Sequence, residues 1–340
     1  MTQRPLAGFV IMAGCLLLLA CGHSAQRAAT PPPIIDMHFH AMGAGDQGPP
    51  PLAMCVSGEA LPVWDQRRPW PEQFIGWLTS PECSDPVWSP KTDDELMQRN
   101  LDVLRRHNIT ALTSGGRSEM LERWQAAEPT RVIPTLHFSL VEQPPSVETL
   151  RQWFKEGRYK ALAEVTNQYG GIDPNDPAFE PYLALAEELD IPVGIHIGTG
   201  PPGAPYLGFD KYRARMHSPL ALEEVLVKHP KLRVYVMHAG WPMLDDMLAV
   251  MWAHPQVYVD TGVIIYALPK AEFYRYLQRM VDAGFGRRVM FGSDQMIWPE
   301  VIPRAIQLIE EAPFLTAVQK RDILYNNAAR FLRMDGAASK

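Results

Sequence analysis

What this chain has little of narrows its roles before any motif is read. It contains no run or stripe of lysine and arginine, and its formal net charge is −6, so the electrostatic footprint of a nucleic-acid binder is missing. Beyond residue 21 no apolar run is long enough to span a bilayer. No glycine-rich phosphate loop follows the first candidate strand, which argues against a doubly wound, nucleotide-binding sheet. Cysteine is sparse: Cys15 and Cys21 fall in the N-terminal segment, and only Cys55 and Cys83 remain.

The N-terminus reads as a processing segment. Arg4 precedes an apolar stretch over 9–20, F-V-I-M-A-G-C-L-L-L-L-A, which has signal-peptide length and is short for a membrane span. It ends in L-L-A-C, which resembles a bacterial lipobox. That resemblance implies a lipoprotein signal peptide over 1–21, with lipidation of Cys21 as the mature N-terminus. The protein is then expected to be exported to the cell envelope and held by lipid alone at the periplasmic face of a membrane. A plain secretory signal cut near Ala25 is the other reading. Residues 22–33 are small, polar and proline-rich, and read as a flexible tether. Cys55 and Cys83 share one long irregular stretch, 41–91. In an oxidising compartment such a lone pair is expected to be bridged; two buried free thiols are the alternative.

Residues 34–40, I-I-D-M-H-F-H, open the folded part. Strand alternation predicts that Asp36, His38 and His40 share one face, and Ile35, Met37 and Phe39 the other. From residue 92 the chain alternates helical and strand-like segments. Strands are predicted over 34–40, 109–114, 131–140, 160–165, 191–197, 232–238, 257–260 and 288–294, with Pro134 demanding an irregularity in the third. Each is followed by a helical pattern, the first introduced by a capping sequence, T-D-D-E. A parallel series of this kind predicts an α/β fold, a (β/α)8 TIM barrel. It forms one catalytic domain over 34–335, with a long loop insertion over 41–91 after the first strand.

In such a barrel the C-terminal strand ends share one mouth. Those ends carry His38 and His40, Glu164, His196, His238 and Asp294, all suitable ligands for a borderline divalent ion. Together D-x-H-x-H (36–40), G-I-H-I-G (194–198), V-M-H-A-G (236–240), F-G-S-D (291–294) and N-N-A-A-R-F-L (326–332) resemble the amidohydrolase superfamily. The resemblance is to its amidohydrolase-related family, which includes aminocarboxymuconate-semialdehyde decarboxylase and many hydrolases. It implies that His38, His40, His196 and Asp294 bind one metal, usually zinc, with His238 acting beside it. Glu164 either completes a second metal site with His196 and His238, or serves as a hydrogen-bond acceptor or buried ion-pair partner behind the ligands. Asp36 lies one strand period deeper and is expected to accept from a ligand histidine's free ring N–H.

The expected activity is metal-dependent hydrolysis of an amide, ester or lactone in a small molecule that can carry a carboxylate. Asp294 would take the proton of the attacking water, and the metal or His238 would polarise the carbonyl. Nonoxidative decarboxylation is the alternative, since the same residues serve both. An inactive binding protein is a third reading, which the intact ligand set opposes. Arg213 and Arg215, after the fifth strand, are candidates for holding a substrate carboxylate. His137, near the end of the third, is a candidate pocket residue. Trp64, Trp70, Trp77 and Trp88 in the insertion suggest an apolar or ring-bearing substrate, or pack the loop. Nothing in the sequence reads on oligomeric state.

Overall fold

A computed structural model describes residues 1–2, 30–58, 61–198 and 200–334. Cys21, with the signal segment and most of the tether, lies outside the described residues. No helix among the described residues is long and apolar enough to cross a membrane.

The barrel strands are Ile34–His40, Ile109–Ser114, Val132–Pro134 continued by Leu136–Phe138, Leu162–Val165, Val193–His196, Val234–Met237, Tyr258–Asp260 and Val289–Met290. All neighbours pair in parallel. Strand three is cut in two at its proline, which fixes φ and lacks a ladder donor. Its first piece pairs with strand two and its second with strand four. Closure runs through strands one and eight: Met37 N donates to the Phe291 carbonyl at 2.9 Å and Asp294 N to the His38 carbonyl at 2.6 Å. Strand eight is shorter than its sequence pattern predicts, ending at Met290, but the chain beyond it keeps touching strand one.

Strand one does not alternate strictly. Its register shifts between Asp36 and Phe39. Ile35 and Met37 pack with Leu112, Tyr235 and Met290, whereas Phe39 joins the larger core and meets the Trp124 ring at 6.2 Å. The Tyr235 hydroxyl donates across to the Met37 carbonyl at 3.2 Å, so the smaller cluster plugs the barrel's middle beneath its mouth. The predicted simple division of faces is therefore corrected by an irregularity where the two histidines lie.

The insertion is more ordered than its sequence indicates. It contains a helix, Trp70–Thr79, and a two-residue ladder pairing Ala53–Met54 with Val87–Trp88. Pro71 obscures the helical pattern, yet a proline in the first turn costs no hydrogen bond. A disulfide joins Cys55 to Cys83, with Cα atoms 5.9 Å apart. Trp70 Nε1 donates to the Pro202 carbonyl at 3.0 Å, and the Trp64 ring lies 4.7 Å from that of Tyr206. Gly203, at φ 74°, admits this contact, because a Cβ there would stand 2.2 Å from Trp70 Nε1. The insertion thus sits on the loop after strand five, and together they wall the barrel mouth.

Candidate metal centre

The barrel delivers its strand ends to one buried floor. His38 Nε2 and His40 Nε2 stand 3.2 Å apart, and His40 Nε2 is 3.0 Å from Asp294 Oδ1. Glu164 presents one oxygen to each side: Oε2 lies 3.8 Å from both His38 and His40, and Oε1 lies 3.6 Å from His238 and 3.8 Å from His196. Two tight groups result, His38–His40–Asp294 and His38–Glu164–His238. His196 belongs to neither, although its ring centroid is 4.4 Å from that of His238. His238 and Asp294 sit at φ 61° and φ 50°, in the left-handed region where non-glycine residues are uncommon and functional sites concentrate.

A set of fixed acceptors and donors orients these side chains. His238 Nδ1 donates to the Gly262 carbonyl at 2.9 Å, which leaves Nε2 as the lone-pair nitrogen facing the floor. His40 Nδ1 contacts Ser114 Oγ at 2.9 Å, and its backbone is gripped on both sides by the Gln295 amide. Asp260, at the end of strand seven, accepts from His238 N at 3.0 Å and Gly262 N at 2.8 Å through Oδ1. Its Oδ2 lies 3.3 Å from His38 Nδ1. Gly262 must be small, since a Cβ there would meet His38 Nδ1 at 2.5 Å.

Asp36 does not reach a ligand ring. Its Oδ1 accepts backbone N–H groups of His38 at 3.0 Å and Ser293 at 2.9 Å. It pins strand one to the segment carrying Asp294, and Asp260 takes the role expected of it. The sequence does hold a signal for Asp260, because V-Y-V-D (257–260) ends on a carboxylate just as F-G-S-D does. Tyr169, also unanticipated, brings its hydroxyl to 3.1 Å from His196 Nε2 from the turn after strand four.

The charges are mutually dependent. Burial opposes a cation on His38, but the carboxylates of Asp294 and Asp260 outweigh it and hold the imidazole well above its ordinary range. Burial likewise opposes charge on Glu164, and the neighbouring imidazoles of His238 and His38 override it, placing Glu164 well below the usual carboxylate range. Burial and the neighbouring His238 push His196 well down. Asp36 is pushed up to about 7 by burial, against the hydrogen bonds it accepts.

These residues fit a divalent ion. His238 Nε2 is buried with no hydrogen-bond partner, a costly arrangement for an acceptor unless something occupies its lone pair. Two nitrogens sharing zinc at about 2.0–2.1 Å each stand roughly 3.3 Å apart, close to the His38–His40 separation. The tight groups share His38, whose Nδ1 faces Asp260, so only Nε2 can serve the floor.

A family model described as amidohydrolase matches residues 35–334. The chain belongs to the amidohydrolase family. Its fold is that of an uncharacterised TIM-barrel protein from Bordetella bronchiseptica, at TM-score 0.58 and 17% identity over 89% of this chain and 99% of that one. It is similar to 5-carboxyvanillate decarboxylase from Novosphingobium aromaticivorans, complexed with manganese and 4-hydroxy-3-methoxy-5-nitrobenzoic acid (TM-score 0.57, 13% identity, 89% and 96% covered). It is also similar to a probable 2-pyrone-4,6-dicarboxylic acid hydrolase from Acinetobacter baumannii with citric acid bound (TM-score 0.54, 15% identity, 88% and 99% covered). No curated protein matches the sequence.

Above the floor of this amidohydrolase lies a cavity of about 1220 Å³. His137 lines it, held by Glu142 at 3.5 Å. The expectation for Arg213 and Arg215 is corrected. Both are exposed, neither lines the cavity, and Arg213 spends its guanidinium on the Asp210 and Tyr212 carbonyls of its own loop. Trp77 lines the cavity, Trp70 and Trp64 pack the insertion, and Trp88 is exposed.

Two outcomes follow from the floor. Asp260→Asn should weaken divalent-metal affinity by about 10–100-fold while far-UV circular dichroism is unchanged, because it loosens His38 and His238 together; unchanged affinity would remove Asp260 from the site. Metal affinity should also rise with pH. His38 is protonated below its raised pKa and must be neutral to ligate, so each ion displaces a proton and, below that pKa, affinity rises by about tenfold per unit increase in pH per proton displaced. Chelator competition across the neutral range measures this, and a flat profile would contradict it.

Proposed function

We propose that this amidohydrolase holds one divalent ion among His38, His40 and Asp294, flanked by Glu164, His196 and His238, and uses it to hydrolyse an amide, ester or lactone. The observation that carries the reading is His238 Nε2: buried, without a partner, and aimed at the floor by the Nδ1–Gly262 hydrogen bond. One ion is favoured over two because both tight groups need the same His38 lone pair. Zinc is the expected metal by family resemblance.

A bound divalent ion supplies Lewis acidity and lowers the pKa of water towards neutrality. The chain's own groups do the rest. Asp294 spans the floor, with Oδ1 beside His40 and Oδ2 3.8 Å from His238 Nδ1, and accepts the proton of the attacking water. Glu164 balances the histidines with one oxygen towards each pair. The Tyr169 hydroxyl, which lines the cavity beside His196, donates to the substrate carbonyl oxygen as negative charge develops there. The described cavity lining includes Lys211 but no arginine. That lining supports hydrolysis over decarboxylation of a carboxylate-bearing ring.

Purified protein should carry about one equivalent of metal and release acid or alcohol from an ester, amide and lactone panel. Carbon dioxide release without hydrolysis would replace the reading with decarboxylation. His38→Ala should lose metal and turnover together. Asp294→Asn should retain part of the metal and lose turnover. Tyr169→Phe should retain all the metal and lose roughly 10²–10³-fold in kcat. Wild-type metal content and activity in His38→Ala would contradict the assignment.

Export and lipid attachment through Cys21 belong to the same proposal and rest on Arg4, the apolar stretch over 9–20, L-L-A-C and the tether that follows. A palmitate analogue should label the chain and fail to label Cys21→Ser; equal labelling of both would reject the anchor.

A further inference from the structure

We infer that the substrate is an uncharged amphiphile: one hydrolysable carbonyl at the floor, attached to an extended apolar body that runs up the wall of the insertion to the rim. The inference rests on the hydrolytic reading for its head group and on the cavity for the rest.

The cavity is large. About 1220 Å³ exceeds the roughly 300–1,000 Å³ common for small-ligand pockets, so a compact single-ring acid would leave much of it unfilled. The walls are apolar where the chain departs most from a minimal barrel. Met54, Phe74, Ile75, Trp77 and Leu78 come from the insertion, and Phe209 from the loop after strand five.

Charge at the mouth argues against an anionic body. Lys211 is the sole lysine or arginine among the described lining residues, and Asp210 precedes it directly. Asp46 and Glu142 also line the cavity, Asp46 held by Arg117 at 3.2 Å and Glu142 by His137 at 3.5 Å. A substrate carboxylate above the floor would find one exposed ammonium and several carboxylates, with no bidentate arginine fork.

The rim supplies an independent observation. Leu61, Val141 and Phe209 line the cavity yet are 57%, 52% and 39% exposed. Isolated exposed apolar residues are ordinary, but three from separate loops that all line one cavity make its opening apolar, as at binding sites. The apolar lining therefore continues out of the cavity, and a body long enough to reach the rim would cover it. Met42, Met54 and Met296 add unbranched, adaptable side chains to the lining, suited to a flexible chain.

The test is a ladder of straight-chain alkyl hydroxamates, from two to ten carbons, titrated into the metal-loaded protein below their aggregation concentrations. The dissociation constant should fall by about fourfold per methylene, the worth of burying one CH₂, over at least six carbons. A hydroxamate of matched length ending in a carboxylate should bind at least tenfold more weakly than its methyl-terminated counterpart. In Trp77→Ala the slope per methylene should drop while acetohydroxamate affinity stays as in wild type. A slope near zero, or equal or better binding of the carboxylate-terminated probe, would overturn the inference. Matching n-alkanamides, which need no ion, should give the same slope, so the result stands even if the metal assignment fails. If the ladder holds but long-chain esters, amides and lactones are all untouched, the hydrolytic reading falls and the apolar site remains.

Discussion

Everything at the barrel mouth depends on burying four imidazoles and two carboxylates against one another. His38, His40, His196, His238, Glu164 and Asp294 are all at most 8% exposed. Leaving one such group unpaired costs about 1–3 kcal/mol, and more if it is charged. The arrangement is tolerable because each charge is offset by a neighbour, and the unfilled nitrogen of His238 marks where the offsetting is incomplete. The same residues close the barrel. Strands one and eight do not pair as a ladder; backbone bonds from the chain just after strand eight and side-chain links from Asp36 and Gln295 cross the seam. The seam and the site are one hydrogen-bonded system, so a change that loosens one is felt by the other.

Strand ends and loops divide the work. The strand ends and the residues just after them bring ligand-type groups to within 3.0–3.8 Å of one another. The insertion and the strand-five loop, joined by Trp70 to Pro202 and stapled internally by Cys55–Cys83, shape what can reach them. This division lets the fold keep a reactive floor while its walls change. Here the walls are apolar, and the arginines that looked available for an anionic substrate do not line the cavity.

Much of the fold and most of the floor were legible in the sequence, for a physical reason. Strand period and the parallel βα rhythm are local, and the rule that strand ends face one mouth converts a list of residues into a place. That rule sends His38, His40, Glu164, His196, His238 and Asp294 to one mouth, and the structure gathers their side chains there. What the pattern missed was non-local or disguised. Asp260 was readable from its strand end but stood apart from the histidine motifs. Tyr169 reaches His196 from a turn, by a contact no periodicity encodes. Simple alternation aims Asp36 at a ring N–H, because the register shift in strand one is invisible to it. Pro71 concealed the insertion helix, and Arg213 shows that a loop charge near a mouth need not point into it.

A divalent ion held at this floor by imidazole and carboxylate is read out by X-ray absorption fine structure at the metal edge of the loaded wild-type protein. The expected spectrum has a first shell of nitrogen and oxygen only, with the outer-shell scattering of at least two imidazole rings. A shell without imidazole, or one containing sulfur, would contradict it.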